Sequence, residues 1–357
     1  MVVGSLFSGI GGLDHGLANA GFIHAFLCEN DKWRREVLSR RFPGVDIFED
    51  VCKISVRKSE GGIEIIRHDD NAVRDRGEGW TRIPMHIDLL CGGFPCQDLS
   101  HAGKRKGLHG DKSGLFFEFI RIADEAIDRD GFILIENVPG LMSSHSGKDF
   151  GVLLQALREL GFNDVAWRIL DSQYFGVPQK RRRLFILGRR SSEGTSCGRI
   201  LLEPEGGDWN FKKIKREKKK YSHTSLTGIG SGGPDDNDAQ NGRLIAHPLV
   251  KNHGNQDHTI DNFVPVFETL SSKGNNYDFQ KINLIPDSFR VRKLTPIECE
   301  RLQGLPDDWT LVGKASNNRR YSALGDAVTA NVAEWIGRRI MNFKDSEEIE
   351  WERFIDE

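Results

Sequence analysis

The sequence contains no long hydrophobic run and no strong excess of charge of either sign. Its 357 residues carry 50 Lys and Arg against 52 Asp and Glu, which gives a formal net charge of −2 at pH 7. Overall charge therefore gives no indication of a nucleic-acid partner, and basic residues that contact one have to be concentrated locally. Because there is neither a signal peptide nor an apolar span of about 20 residues, the sequence predicts a soluble, cytoplasmic protein without a membrane partner.

Cysteine is scarce, and its spacing excludes two further classes. The six cysteines, at positions 28, 52, 91, 96, 197 and 299, include no CxxC pair. Such scatter is typical of a reducing compartment rather than of a disulfide framework, and it predicts no zinc site or other metal site. The chain has no internal repeat, and its length is sufficient to bury a full core and to divide into two lobes.

The most informative segment that is present reads GFPCQDLS, at residues 93–100. It follows an apolar run at residues 87–91 that predicts a buried strand. A cysteine at the end of a parallel strand, on a turn stiffened by Pro95, is placed like a nucleophile. A free cysteine is more often a buried structural residue, so Cys96 alone does not decide the function.

Two further segments supply an acid and a basic cluster. An apolar run at residues 132–135 ends in Glu136, and Arg181 and Arg183 precede another run at residues 184–188. The carboxyl ends of parallel strands meet at one edge, where open α/β sheets bind ligands. Each residue also has a common structural role, as a helix cap or a solvated charge, but the combination in this order favours a catalytic site.

The N-terminus predicts a cofactor site. A strand at residues 2–7 leads into a glycine-rich turn at residues 8–13 and then into a helix. The dinucleotide fingerprint requires a third glycine where this sequence has Asp14, and a carboxylate there favours a cationic or zwitterionic ligand over a pyrophosphate. Glu29 follows the first glycine by about twenty residues, where an acidic side chain commonly binds ribose hydroxyls. Ribose combined with positive charge indicates S-adenosyl-L-methionine.

Together these segments resemble the bacterial-type DNA (cytosine-5)-methyltransferase family. The resemblance implies transfer of a methyl group to C5 of a cytosine flipped out of a specific double-stranded DNA sequence. The setting it implies is a restriction–modification system, a phage or a solitary enzyme, acting as a monomer in a bacterial cell. Motifs in the family's order cover nearly the whole chain, at residues 7–12 (FSGIGG), 93–97 (GFPCQ), 136–138 (ENV), 179–183 (QKRRR), 292–304 and 321–328 (YSALGDAV).

The resemblance implies roles for the catalytic residues. Cys96 would add to C6 of cytosine, and Glu136 would protonate or polarise N3. Arg183 would hold the carbonyl oxygen of the base, and Arg181 would support the flipped base and its phosphate. Because Cys96 would form a bond to C6, the implied intermediate is a covalent adduct. C5 would become nucleophilic once that bond has formed.

The resemblance also implies a set of cofactor contacts. Phe7 would stack on the adenine, Glu29 would bind the ribose, and Asp50 would read the adenine amino group. Two positions depart from the family pattern, because Asn30 stands where some members have an aromatic residue and Asp326 where asparagine is more familiar. The full set of predicted contacts is Phe7, Gly9, Gly11, Glu29, Asn30, Asp50, Val51, Pro95, Leu115, Asp326 and Ala327.

The expected fold class is α/β, with a doubly wound, mostly parallel, Rossmann-like sheet and a smaller, irregular, β-rich target-recognition domain. The predicted boundaries are 1–188 for the catalytic domain, 189–310 for target recognition, 311–343 for the return to the catalytic domain, and 344–357 for a tail. Three segments receive separate interpretations: 53–80 as a polar surface insertion, 100–107 as a mobile basic lid, and 212–220 as a contact to DNA phosphates.

Two alternatives remain open at this point. One is an RNA-directed relative that methylates a tRNA cytosine, and the other is a non-catalytic DNA-binding relative. The long interval at residues 190–290 favours DNA, because it offers a full base-reading lobe. The presence of Cys96, Glu136 and Arg183 disfavours a non-catalytic protein. The recognised DNA sequence cannot be read from this interval.

Overall fold

The structure is a computed structural model that describes residues 1–59, 62–67, 80–83, 86–95, 114–191, 194–202, 267–268, 284–287 and 290–356. Cys96, the predicted lid at 100–107 and the lysine-rich segment at 212–220 lie outside the described residues. The strands are β1 (Val2–Leu6), β2 (Ile23–Cys28), β3 (Asp46–Phe48), β4 (Ile54–Ser59), β5 (Gly62–Arg67), β6 (Trp80–Ile83), β7 (Ile87–Gly92), β8 (Ile127–Asn137), β9 (Asp164–Asp171), β10 (Gln179–Lys180), β11 (Arg182–Arg189), β12 (Phe267–Glu268), β13 (Leu284–Asp287) and β14 (Arg290–Lys293). The helices are α1 (Gly12–Asn19), α2 (Lys32–Arg41), α3 (Leu115–Ala126), α4 (Lys148–Glu159), α5 (Ser196–Leu201), α6 (Pro296–Leu302), α7 (Asn317–Asp326) and α8 (Ala330–Asp356), with short 3-10 turns at Val51–Lys53, Pro139–Met142, Ser144–Gly147 and Ser172–Tyr174.

A seven-stranded sheet forms the centre, in the order β3-β2-β1-β7-β8-β11-β9. Neighbouring strands pair in parallel along β3, β2, β1, β7 and β8. Strand β11 runs antiparallel to both of its neighbours. The predicted α/β fold with a mostly parallel sheet is confirmed. Because β1, β2, β7 and β8 run in one direction, the residues that follow them gather at one edge.

Helices cover both faces of this sheet. On one face, α1 and α8 pack over strand residues such as Val3, Leu89 and Phe132. On the other, α3 and α4 pack over strand residues that include Leu90 and Ile133. The crossing of α1 and α8 is close, since a Cβ atom on Gly16 would lie 2.2 Å from the carbonyl oxygen of Ala330. A helix near the end of the chain thus fixes the helix that follows the glycine-rich turn.

The described residues between 53 and 83, where a polar surface insertion was predicted, form strands that contribute to the core. Strands β4, β5 and β6 form a three-stranded antiparallel sheet, and Ile54 and Ile65 are buried in the core cluster beneath α3. The sequence GIEII at residues 62–66 already contains the alternation of a half-buried strand. Its charged neighbours on both sides concealed that signal.

Packing differs from the predicted domain boundaries at both ends of the recognition region. Helix α5 buries Cys197 and Ile200 against strands of the main sheet. Helix α6 and the turn after it bury Leu302 and Trp309 against α2 and α7. Helix α8 also continues to Asp356, through the predicted start of a tail at residue 344.

Candidate active site

Glu136 and Arg183 form an ion pair at the carboxyl edge of the sheet. Arg183 lies on β11, the antiparallel neighbour of β8, and its Nε is 3.1 Å from Glu136 Oε1. Burial raises the pKa of Glu136, and the charges of Arg183 and Arg181 offset this only in part. The carboxyl group of Glu136 therefore keeps a proton more readily than an ordinary glutamate, as a general acid requires.

The end of β7 approaches this ion pair closely. A Cβ atom on Gly93 would lie 2.8 Å from Glu136 Oε2, so a larger residue there would force the carboxylate to move. The Asn137 side chain is 4% exposed, and its Nδ2 donates a hydrogen bond to the Phe94 carbonyl at 3.1 Å. The amide thus fixes the backbone immediately before Pro95, which is exposed, and connects the segment that leads to the predicted nucleophile with the predicted acid.

Arg181 is buried beneath the same edge, with 1% of its surface exposed. Its Nη2 donates to the carbonyl oxygens of Gly325 (3.0 Å) and Ala327 (2.7 Å). Among the described residues, its Nε and Nη1 find no hydrogen-bond partner. Burial, followed by the charge of Arg183, lowers the pKa of Arg181 to about 9. Arg181 therefore stabilises the turn after α7 through Nη2. Its Nε and Nη1 are two further donor atoms that another group can accept from.

The glycine-rich turn wraps around the carboxylate of Glu29. Glu29 Oε2 accepts from the Gly9 amide at 2.8 Å, and Oε1 accepts from the Asp31 amide at 2.9 Å. The backbone between β1 and α1 is left-handed at Phe7 (φ 56°), Gly9 (φ 60°) and Gly11 (φ 82°). A left-handed aromatic residue is a costly conformation that is found mainly at functional sites.

Other predicted cofactor contacts lie around this turn. The Glu29 amide donates to the Phe48 carbonyl at 3.0 Å, which joins the ends of β2 and β3. Asp50 caps the 3-10 turn that begins at Val51, where its carboxylate accepts from the Cys52 amide at 2.9 Å. Leu115 begins α3 and packs with Phe7 against the same core cluster. The backbone carbonyl oxygen of Asn30 accepts a hydrogen bond from Arg35 Nη1 at 2.7 Å.

The expectation that Asp14 faces a ligand is wrong. Its side chain is 0% exposed, and Oδ1 lies 3.3 Å from Nε2 of the buried His24. Because helix α1 begins at Gly12, Asp14 lies on the face of the helix that packs toward β2, away from the glycine-rich turn. The pattern of the sequence had predicted a helix that begins at residue 14, two residues later than it does.

The structure adds one charged residue that the sequence did not indicate. Arg34 Nη2, in the first turn of α2, lies 2.5 Å from Oδ2 of Asp326. The two residues are 292 positions apart, so no local pattern could reveal the pair. Beside them, Arg319 and Asp31 form a second ion pair at 3.1 Å, and together the two pairs join α2 to α7.

Ala327 and its neighbours press against the glycine-rich turn. A Cβ atom on Gly12 would lie 2.3 Å from the Val328 carbonyl oxygen. The structure thus gathers the predicted residues into two adjoining groups. Glu136, Arg181 and Arg183 form the first, and the second comprises Phe7, Gly9, Gly11, Glu29, Asn30, Asp50, Val51, Leu115, Asp326 and Ala327. Arg181 joins the two groups through its bonds to Gly325 and Ala327.

Comparisons with known proteins identify the family of the chain. The family model for C-5 cytosine-specific DNA methylase matches residues 1–342. The type II methyltransferase M2.BsuMI of Bacillus subtilis is 30% identical over 97% of this chain and 77% of its own length. M.HhaI of Haemophilus parahaemolyticus is 26% identical, over 95% and 94% respectively. The crystal structure of the S. pombe Dnmt2 methyltransferase shares the fold, with a TM-score of 0.55, 16% identity and coverage of 96% of this chain and 99% of its own. The chain belongs to the C-5 cytosine-specific DNA methylase family and is a DNA (cytosine-5)-methyltransferase.

Proposed function

We propose that this enzyme methylates cytosine in one specific double-stranded DNA sequence, with S-adenosyl-L-methionine as methyl donor. The base is flipped out of the duplex and held through a covalent bond between Cys96 and C6. The observation that carries this proposal is the partly buried Glu136–Arg183 pair, with side chains 12% and 17% exposed, which adjoins the backbone leading to Cys96. The similarity of the chain to type II methyltransferases supports a place in a restriction–modification system.

The protein side of the mechanism begins with the Cys96 thiolate, which adds to C6. Glu136 donates a proton to N3 as this bond forms, so that negative charge does not accumulate on the ring. Arg183 donates hydrogen bonds to the O2 carbonyl of the cytosine. The resulting enamine has a nucleophilic C5. After transfer, water removes the C5 proton, the bond between Cys96 and C6 breaks to release the thiolate, and the N3 proton returns to Glu136.

The residues around the glycine-rich turn fit the proposed cofactor. When bound, S-adenosyl-L-methionine supplies an electrophilic methyl group on a sulfonium. Glu29 has further lone pairs for ribose hydroxyls beyond the two amides that it already accepts. Phe7 would stack on the adenine, and Asp50, with Val51, would contact its edge. Gly9, Gly11, Leu115 and Ala327 would line the remainder, with Asn30 and Pro95 at the margins.

We assign DNA recognition to residues 203–293, which lie between α5 and α6. Contacts with phosphate oxygens add affinity, whereas contacts with base edges determine the sequence that is methylated. The proposed enzyme acts as a monomer.

Bisulfite sequencing tests the proposal directly. Duplex DNA of random sequence is incubated with the protein and S-adenosyl-L-methionine, and in parallel with the Cys96→Ala variant. Protection of cytosines in one sequence context, by the wild-type protein alone, is expected. Duplex DNA with 5-fluorocytosine at that position should then give a denaturant-stable adduct, because fluorine cannot leave as a proton does.

Three results would contradict the proposal. Methylation by Cys96→Ala would exclude the covalent mechanism. Protection of cytosines in every sequence context would exclude specificity. Methylation of tRNA but not of duplex DNA would assign the enzyme to the RNA-directed class.

A further inference from the structure

A chain of buried side-chain hydrogen bonds begins beside Arg181 and ends at the last turn of α7. Ser172 Oγ donates to Thr329 Oγ1 at 2.8 Å, and Thr329 Oγ1 donates to Gln303 Oε1 at 3.0 Å. Gln303 Nε2 in turn donates to the Leu324 carbonyl at 2.7 Å. Ser172, Thr329 and Gln303 are each at most 2% exposed, so the chain of bonds lies inside the protein.

The direction of each proton in this chain follows from the groups at its end. The Leu324 carbonyl can only accept, so the amide nitrogen of Gln303 faces it and Gln303 Oε1 faces Thr329. Because an amide oxygen also only accepts, Thr329 directs its one hydroxyl proton to Gln303 and accepts from Ser172. Any other orientation would leave a buried polar atom unpaired, and the network therefore holds a single arrangement.

Arg181 closes this chain of bonds into a ring. Its backbone amide donates to Asp171 Oδ1 at 2.9 Å, and its carbonyl oxygen accepts from the Ser172 amide at 3.0 Å. Its Nη2 donates to two carbonyl oxygens of the turn between α7 and Thr329. The ring therefore fixes both the backbone and the guanidinium of Arg181 relative to one turn.

The guanidinium that the ring holds has two donors left. Among the described residues, Nε and Nη1 of Arg181 have no hydrogen-bond partner, and an unpaired donor of a buried charged group is costly unless a ligand accepts from it. Burial raises the pKa of Glu136, and the charges of Arg183 and then of Arg181 lower it, so Arg181 lies within electrostatic reach of the proposed acid. A group of the nucleotide that Glu136 protonates is therefore a suitable acceptor for the two donors.

We propose that Ser172 and Thr329 are positioning residues, which hold Arg181 in the orientation from which its Nε and Nη1 bind the flipped nucleotide. This inference rests on the proposed function, because the flipped nucleotide brings the acceptor to Arg181. Neither hydroxyl group contacts the substrate, and each acts through Arg181.

Single-turnover methylation of duplex DNA, with DNA and S-adenosylmethionine both saturating, tests the assignment. Thr329→Val removes the hydroxyl group but keeps the shape of the side chain, and it leaves Gln303 Oε1 without its donor. It should slow methyl transfer by roughly 10-fold, about the effect of one hydrogen bond, and Ser172→Ala should act similarly. Thr329→Ser keeps the hydroxyl group and should keep the wild-type rate.

Ser196→Ala is the matched control. Ser196 is also buried, and its hydroxyl group donates to Asp164, at the opposite end of β9 from Asp171. Urea denaturation should show that Ser196→Ala lowers the free energy of unfolding at least as much as Ser172→Ala does. Its rate of methyl transfer should nevertheless equal that of the wild type.

A double-mutant cycle with Arg181→Lys separates positioning from loss of stability. Lysine keeps the charge but lacks the planar fork of donors, so it has no fixed orientation for the ring to hold. Thr329→Val should therefore slow methylation much less in the Arg181→Lys background than in the wild type. Equal effects in both backgrounds would overturn the assignment, as would a wild-type rate for Thr329→Val. Wild-type protein that does not methylate duplex DNA would instead overturn the proposed function itself.

Discussion

At the scale of single residues, Glu136 is the proposed general acid of the active site. The residue ends a parallel strand, and Gly93 leaves the space into which its carboxylate fits. Burial raises its pKa although two arginines act in the opposite direction. Arg183 and Arg181 lower the pKa of Glu136. Burial has to outweigh them if the proposed acid is to hold the proton that it donates to N3.

Replacing Glu136 by glutamine should slow methyl transfer by roughly 10²- to 10⁴-fold, the usual contribution of a general acid. The amide can still donate a hydrogen bond to N3 but cannot transfer a proton. Single-turnover assays with saturating DNA measure the chemical step. The exposed Glu159, replaced in the same way, is the matched control and should have no effect. A wild-type rate for Glu136→Gln would remove this residue from the acid role.

The same group should give stability a characteristic pH dependence. Its folded pKa lies above the ordinary value of 4.5, so the folded protein retains a proton that the unfolded chain has lost. The contribution of Glu136 to the free energy of unfolding therefore falls as pH rises from about 4.5 to the raised pKa, and is constant above it. Urea titrations across this range should show the difference between Glu136→Gln and wild type moving in favour of the variant. A difference independent of pH would contradict the raised pKa.

At the scale of secondary-structure elements, the buried pair of Asp14 and His24 connects α1 to β2. The side chains are 0% and 3% exposed, and Asp14 Oδ1 lies 3.3 Å from His24 Nε2. Removing one partner of a buried pair leaves the other without compensation, whereas replacing both by apolar residues can be nearly neutral. We expect His24→Leu to reduce the free energy of unfolding by about 3–5 kcal/mol.

The double variant Asp14→Leu/His24→Leu should recover most of that loss, as measured by chemical denaturation. Equal stabilities of the single and double variants would show that the two residues are not coupled. Methylation serves as a second readout, because α1 begins at the glycine-rich turn and a displaced helix would alter the cofactor site.

Much of the active site could be predicted from the sequence because it follows a periodic rule. Apolar runs end at the carboxyl edge of a parallel sheet, so Glu29, Glu136 and the segment leading to Cys96 could be assigned to that edge. Contacts that depend on the phase of a helix or on distant segments could not be predicted. Asp14 turns inward because α1 begins at Gly12, and Arg34 meets a partner 292 residues away.

At the scale of the whole molecule, the two ends of the chain build one catalytic lobe. Helix α8 packs on α1, and Leu302 and Trp309 share a core cluster with Ile10 and Leu38. Gln303 connects two parts of this lobe, since its side-chain Nε2 donates a hydrogen bond to the Leu324 carbonyl at 2.7 Å. The proposed recognition region is therefore an insertion between α5 and α6, and a chain without it would still contain both parts of the core.

A chain in which residues 206–288 are replaced by a flexible Gly/Ser linker should fold and bind S-adenosylmethionine but should not methylate DNA. Its core clusters stay complete, because α5 enters one of them before the deletion and α6 enters another after it. A chain ending at residue 293 is the control, and it should not fold, since it loses α6, α7 and α8. Circular dichroism reports folding and calorimetry reports cofactor binding. Sequence-specific methylation by the shortened chain would place recognition elsewhere, and failure of that chain to fold would show that residues 206–288 support the core.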